Sequence, residues 1–394
     1  MMLYLKRILK RYLPPKVKTF LKEFIVKHDI DFGRKAKLTK AAISVQNQYN
    51  LTPLQAAAKI IVFLVPNDAE ISGGLLSIFQ FVNFTREIEK NAVCIISTIP
   101  GKYTYEKMIL FKNSEQIYRW EQVITSCHQC SELILHVPEY FASFFYGFLS
   151  RRDLAVLRAL PKLRINILNQ NIDYMPSRES LYSLYSLTSD VSQSAGFERY
   201  ANQDVCDKFG MPLYFVPSYI NLDDCVVKEF SEKKKLILFS NDQHSDKKRI
   251  LSRIQDEFID YEIREISGLT YAKFLELIAQ ARFVISFGEG FDGYYIQPYY
   301  AKSIGISVYN DRFFPDSAMC DFPFVYSSFE EMYEKVCDDI RRVKDSKEDY
   351  EEISSSVHSY LVRTINHPEK TVVGLKNVYD HKVTYCPDGQ ARHT

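Results

Sequence analysis

With 394 residues, 46% of them hydrophobic and 25% charged, the chain is long enough for two domains with cores of their own. A formal net charge of +1 provides no field for holding a nucleic-acid backbone, and no nucleic-acid partner is expected. No apolar run approaches the ~20 residues of a membrane span, and the N-terminus lacks the apolar stretch of a signal peptide. Eight cysteines are scattered along the chain, which suits reduced thiols in the cytoplasm better than a disulfide framework. Cys127-His128-Gln129-Cys130 has the only C-x-x-C spacing, and no second pair accompanies it, so these are expected to be ordinary thiols.

Residues 1–28 are basic and amphipathic. Lys6, Arg7, Lys10, Arg11, Lys16, Lys18, Lys22 and Lys27 face a single acid, Glu23, and Val17, Phe20, Leu21, Phe24 and Ile25 fall at helical spacing. Pro14-Pro15 divides the segment. Such a segment suits the anionic inner face of a membrane, with the protein peripheral to it, or equally a helix packed on the body of the protein. The rest of 1–57 reads as a linker with short helical pieces, and Asp29-Ile30-Asp31 follows no buried strand.

A first α/β domain is expected over 58–225. Lys59–Val65 is a buried strand, followed by a loop ending in Gly73-Gly74, a helix over Leu75–Lys90 and a strand over Val93–Thr98. Leu133–Val137 and Arg164–Leu168 are further strands, with polar residues at their ends: His136 and Glu139 on one, Asn169, Gln170 and Asn171 on the other. Strand carboxyl ends face the ligand crevice in open α/β sheets. The segment from Tyr174 to Leu187, rich in Tyr and Ser, lies on the same side of the chain's order. Leu187–Ser194 and Leu213–Val216 close the sheet, with a helix around Phe197–Phe209.

A second such domain is expected over 226–365, and a C-terminal segment and loose tail over 366–394. Leu236–Ser240 is its opening strand, followed by Asn241-Asp242-Gln243-His244-Ser245-Asp246-Lys247-Lys248-Arg249; Tyr261–Ile266 is a strand, and Thr270 caps a helix over Tyr271–Ala281. Phe283–Phe287 is a strand leading into Gly288-Glu289-Gly290-Phe291-Asp292-Gly293, then a helix over Tyr294–Ser303 containing Pro298, then Gly305 and the strand Ile306–Tyr309. Glycines let backbone amides approach a ligand, and a helix N-terminus at a strand's carboxyl end suits a phosphate. Ser328 with Glu331 forms a capping box for a helix to about Lys344, and a helix around Tyr350–Ile365 is expected to cross back onto the first domain.

The stretch from Phe283 to Asn310 resembles the donor-site signature of retaining GT-B glycosyltransferases of the group 1, family 4-like type. Glu289, Gly290 and Phe291 match its E-G-F, and Gly305, Ile306 and Val308 match its end, with Ser307 where a proline is usual. Asp292 stands in place of a glycine, with Gly293 after it, and Gln297 stands where the family has the second glutamate that holds the ribose hydroxyls. Gly73-Gly74 resembles the glycine pair that meets donor phosphates and sugar in the first domain, or is a turn needed only for packing. In the family an arginine and a lysine after the strand at 236–240 bind the pyrophosphate; here Asn241 takes the arginine's place, and Lys247 or Lys248 the lysine's, Lys248 fitting slightly better. His136 matches a histidine near the transferred sugar, or is a structural hydrogen-bonding residue.

The resemblance, covering about 58–365, implies two Rossmann-like domains facing across a cleft. It also implies a metal-independent, hexosyltransferase-type enzyme without cofactor, the nucleotide-sugar being its substrate. The sugar would move, with retention, to a glycan or lipid-linked acceptor in surface polysaccharide or glycoconjugate synthesis. His136 and Glu289 would be catalytic; Gly73, Gly74, Asn241, Lys247, Lys248, Gly288, Gly290, Phe291, Asp292, Gly293 and Gln297 would bind the donor. The alternatives are a non-catalytic GT-B-like subunit that binds glycan or stabilises a partner, and a sugar-nucleotide epimerase of the same shape.

Overall fold

The computed structural model describes residues 32–66, 72–101, 104, 113–222, 225–365 and 367–387. The basic segment over 1–28, Asp29 to Asp31 and the loop residues 67–71 lie outside them.

The first sheet holds seven parallel strands, β1 (Lys59–Val65), β2 (Val93–Thr98), β3 (Ile117–Tyr118), β4 (Glu132–Pro138), β5 (Leu163–Asn169), β6 (Val191–Ala195) and β7 (Leu213–Phe215), in the order β3-β2-β1-β4-β5-β6-β7. The second holds five, β8 (Leu236–Phe239), β9 (Glu262–Glu265), β10 (Phe283–Ile285), β11 (Ile304–Val308) and β12 (Val325–Tyr326), in the order β12-β11-β10-β8-β9. Both are doubly wound, so each has a switch point where neighbouring strands send their connections to opposite faces: β1/β4 in the first sheet, β8/β10 in the second. A crevice opens at such a point because the two loops leave in opposite directions.

The helices follow in chain order. α1 (Phe32–Gln46), α2 (Thr52–Gln55), α3 (Gly73–Ile88), α4 (Trp120–Ser126), α5 (Glu139–Phe148), α6 (Arg151–Ala159) and α7 (Gln203–Phe209) accompany the first sheet. α8 (Lys247–Glu257), α9 (Tyr271–Gln280), α10 (Gly293–Tyr300), α11 (Phe329–Val343), α12 (Lys347–Thr364) and α13 (Pro368–Tyr379) follow β8. α1 sits in the stretch expected to be linker. Its last residue, Gln46, is buried and donates from Nε2 to the Ile117 carbonyl at 2.7 Å, so α1 covers an edge of the first sheet.

The strands are apolar without alternation because helices cover both faces. Ile60, Val62, Leu64, Leu133 and Ile165 face Val123 and Phe145 from α4 and α5, whereas Ile61, Phe63, Val65 and Ile134 face Ile78 and Val82 of α3 and Leu375 and Val378 of α13. Each such fully buried side chain contributes roughly 1.5–3 kcal/mol. The second sheet repeats the scheme, with Ile237, Ile285 and Ile306 under α8 and α11, and Leu238 and Val284 under α9.

Most expected strands hold closely, but the strand expected over Leu187–Ser194 spans Val191–Ala195, β3 has no counterpart among them, and the crossing helix differs. α12 (347–364) stays on the second domain through Tyr350, Val357 and Leu361; α13 returns to the first, where Leu375, Val378 and Tyr379 enter its core. The chain after Val383 is paired rather than loose as far as Tyr385, which exchanges backbone hydrogen bonds with Leu213 at 2.9 and 3.0 Å. Cys127 and Cys130 are buried free thiols that burial pushes up to about 12 and about 11, which keeps them from acting as thiolates. Among the described residues no helix is long and apolar enough to cross a membrane.

Candidate functional site

The site is built from loops at the carboxyl ends of strands in both sheets. On the second domain the loop after β10 runs from Ser286 to Asp292. Gly290 has φ +93°, and a Cβ there would lie 2.4 Å from the Val308 carbonyl oxygen, so only glycine fits without a shift. The Gly290 carbonyl accepts from the Ser307 hydroxyl at 2.7 Å, so the serine that replaces the family's proline fastens the glycine loop to β11. Phe291 packs against Phe314 and Tyr295, with ring centroids 5.3 and 6.2 Å away, and anchors the loop by its apolar face. Gly288 admits the neighbouring loop, since a Cβ there would meet the Asp242 carboxylate at 2.8 Å.

Asp292 caps α10. Its Oδ1 accepts from the amides of Tyr294 and Tyr295 at 2.8 and 3.1 Å, and its Oδ2 from the Ser286 hydroxyl at 2.6 Å. The helix N-terminus expected to suit a phosphate therefore already holds a carboxylate. Burial, with Asp242 nearby, nevertheless pushes Asp292 up to about 6, against the bonds from Ser286 and the two amides. Gly293 opens the helix, and Gln297 lies one turn further on, only 4% exposed. Its Nε2 donates to the Tyr271 hydroxyl at 3.1 Å, while its Oε1 is buried without a partner.

Cations are scarce here. Lys247 donates to the carbonyls of Ser240 and Asp242 at 2.7 and 3.0 Å and pairs with Glu265 at 3.3 Å, so it braces its own loop. Lys248 is exposed beside it, as is Asn241. A pocket of about 340 Å³ opens next to Gly288, lined by Val308, Tyr309, Asn310, Asp311 and Phe329. One wall is aromatic: Phe329 stacks on Phe287, and His244 stacks on Phe329 at 3.7 Å between ring centroids.

From the first domain, the ends of β1, β4 and β5 face this loop. Gly73 and Gly74 start α3, capped by Ser72, whose hydroxyl accepts from the Leu75 amide at 3.1 Å. A Cβ on Gly74 would lie 2.8 Å from the side-chain oxygen of Gln170, so the glycine admits the loop after β5. In that loop Asn171 donates from its backbone amide to Glu139 Oε1 at 3.0 Å and from Nδ2 to Glu289 Oε1. The Asp173 amide donates to Asn171 Oδ1 at 2.8 Å, which fixes which end of the amide points at Glu289. A second tie between the domains pairs Arg312 with Asp173, and the Tyr200 hydroxyl donates to the Arg312 carbonyl at 3.0 Å.

Two carboxyl groups, one from each domain, thus meet on either side of one asparagine. Glu139, first residue of α5, is 5% exposed, and its Oε2 has no partner. Burial pushes it up to about 7, opposed by the amides of Glu139, Asn171 and Gln170 and reinforced by Glu289. Glu289 is pushed up to about 7 by burial and then by Asp292, with Asn171 opposing and Asp173 and Asp242 adding to the rise. Carboxyls poised near neutrality can exchange protons with a bound hydroxyl at physiological pH.

His136 is corrected. It points into the core two residues before the end of β4, is 0% exposed, stacks on Phe63 at 4.2 Å, and faces Asn166 Oδ1 at 3.3 Å and the Tyr379 hydroxyl at 3.1 Å. Burial lowers it to about 3, so it stays neutral and structural. The end of the same strand instead delivers Glu139. Its signal in the sequence is a glutamate directly after a buried strand and Pro138.

No protein-family model matches this chain, and no curated protein matches its sequence. Solved structures do match in shape. An alpha-glucosyltransferase in complex with UDP and a 13-mer DNA superposes with TM-score 0.56 at 9% identity, over 82% of this chain and 98% of that one. The HepE protein of Anabaena in complex with UDP-glucose gives 0.51 at 7% identity, over 82% and 99%. The E. coli trehalose-6-phosphate protein bound with UDP-2-fluoro glucose gives 0.50 at 11%, over 80% and 99%. At these identities the likeness is one of architecture: the chain has the GT-B fold, two Rossmann-like α/β domains whose switch points face one another across a cleft.

Proposed function

We propose that the protein is a glycosyltransferase that moves a sugar from a nucleotide-sugar donor to a hydroxyl of a glycan or lipid-linked acceptor. The observation that carries this reading is the meeting of Glu139 and Glu289 between the domains, each pushed up to about 7 by burial, in a fold shared over 82% of the chain with UDP-bound proteins. On this reading the second domain holds the donor. The loop amides around Gly288 and the exposed Lys248 stabilise the diphosphate, Glu289 meets the sugar, Gln297 lies toward the ribose, and Gly73 and Gly74 approach from the opposite side. The reaction requires no resident metal or cofactor in this scheme. The DNA in the alpha-glucosyltransferase complex belongs to that protein; the formal charge of +1 here favours a glycan acceptor over a polyanion. Residues 1–28 would hold the enzyme on anionic lipid during polysaccharide assembly; unchanged vesicle binding after their removal would exclude that part.

A screen of UDP-, GDP-, ADP- and TDP-sugars with mixed acceptor glycans, following released nucleoside diphosphate, tests the reading, together with thermal shift by the free diphosphates. Stabilisation and release by one nucleotide class are expected. Asp292 occupying the α10 amides, and Asn241 where a cation is usual, favour a second reading, a non-catalytic glycan-binding or partner-stabilising subunit. That reading predicts neither shift nor release.

A further inference from the structure

We infer that Glu139 is the catalytic proton acceptor, taking the proton of the incoming hydroxyl, and that transfer proceeds with inversion at the anomeric carbon. The inference rests on the glycosyl-transfer reading and goes beyond it in naming the base and the stereochemical course.

The geometry is that of a base held ready. Pro138 ends β4 paired in register with Leu168 of β5, which sets the next residue, Glu139, at the carboxyl edge of the first sheet, buried between it and the loop that carries Glu289. One carboxylate oxygen is immobilised by the Asn171 amide at 3.0 Å. The other, Oε2, is buried with no partner. A buried lone carboxylate oxygen costs stability unless something supplies a hydrogen bond, and an acceptor hydroxyl donating to it would do so. Asn171 keeps the free oxygen in fixed relation to the donor side, because its Nδ2 holds Glu289 of the other domain. The strut is itself fixed by the Asp173 amide at 2.8 Å.

The step balances as follows. The acceptor O–H gives its proton to Glu139 Oε2, and the freed oxygen lone pair forms the bond to the anomeric carbon. The bond from that carbon to the donor's phosphate oxygen breaks, and its electron pair leaves with the nucleoside diphosphate. The diphosphate lies with the loops of the second domain, whereas Glu139 belongs to the first. A hydroxyl that gives its proton to Glu139, rather than to the departing phosphate on the donor's own face, attacks the anomeric carbon from the opposite face, and the configuration inverts. Retention, implied by the resemblance around Glu289-Gly290-Phe291, would need no base in this position.

The test uses the full chain with UDP-glucose, UDP-galactose and UDP-N-acetylglucosamine, and methanol as a small acceptor whose glycosides do not change anomer. UDP release and the proton spectrum of the methyl glycoside are followed for wild type, Glu139→Gln and Glu139→Asp. UDP affinity is measured in parallel as the check on folding. The expected result is a β-configured methyl glycoside from the α-configured donor, a loss of at least ~100-fold in Glu139→Gln with UDP affinity unchanged, and partial activity in Glu139→Asp. Glu139→Gln within threefold of wild type, or an α-glycoside from active wild type, overturns the inference while leaving glycosyl transfer standing. No nucleoside diphosphate release by wild type from these three donors or from the GDP-, ADP- and TDP-sugars of the wider screen overturns the transfer reading and this inference with it.

Discussion

Replacing Gly290 by alanine isolates the device that presents Glu289 to the cleft. The residue has φ +93°, and an added Cβ would lie 2.4 Å from the Val308 carbonyl oxygen and 3.0 Å from the Phe314 ring. The positive φ alone costs an L-residue about 1–2 kcal/mol. The contact with β11 cannot be relieved by a side-chain rotation, because the opposing atom is backbone in a buried strand. Moving the loop instead breaks the Ser307–Gly290 hydrogen bond of 2.7 Å, which is worth roughly 1 kcal/mol. Together these come to about 2–3 kcal/mol, or a fall in Tm of roughly 4–12 °C for a domain of this size. Gly268 is the control: it has φ +64° but open space around its missing Cβ, so Gly268→Ala carries the dihedral strain alone, about 1 kcal/mol. Thermal unfolding by circular dichroism of both variants, with UDP affinity measured on each, reads the difference. Equal losses in the two variants, or a Gly290→Ala protein as stable as wild type, would refute the steric argument and with it the assigned course of the loop.

Stability should also depend on pH through Glu139. Its folded carboxyl sits at about 7 against an ordinary value near 4.5, so the folded state binds the extra proton between these values, and stability falls as pH rises through that window and levels off above it. The span is worth about 3 kcal/mol, and Glu139→Gln should remove that share of the slope; identical pH–Tm curves for the two proteins contradict it. Gln297→Glu should keep or improve UDP affinity, whereas Gln297→Leu should weaken it by about 1–3 kcal/mol; equal calorimetric affinity for wild type and Leu would mean that the side chain only packs α10 against Tyr271. The adjacent lysines should separate: Lys247→Ala lowers Tm by loosening the loop it braces, while Lys248→Ala lowers donor turnover about 100-fold with Tm unchanged. The reverse pattern would exchange their roles.

Much of the architecture was legible in the sequence because helices cover both faces of each sheet. Strands such as Lys59–Val65 and Leu133–Val137 read as unbroken apolar runs, and β–loop–α order with glycines at 73, 74, 288, 290 and 293 marks doubly wound domains. Local hydrogen-bonding rules were equally visible: Thr270 and Ser328 accept from the amides of Lys273 and Glu331, as their spacing indicates. What depends on residues far apart in the chain was not. His136 and Glu139 lie three positions apart, and only the packing of Phe63, Asn166 and Tyr379 decides that the first is sealed in the core. Tyr379 reaches that place because α13, rather than α12, crosses back, a choice made by which apolar stripe finds an uncovered face of the first sheet. The chemistry of Glu139 and Glu289 has the same origin. Burial raises both carboxyls, Asp292 adds to the rise at Glu289, and Asn171 opposes it at each; the burial exists only because folding packs the two domains together and withdraws water. Sequence periodicity reports which side of an element is buried. The burial that tunes a site comes from segments as distant as Asn171 and Glu289, 118 residues apart, and those only the tertiary structure sets side by side.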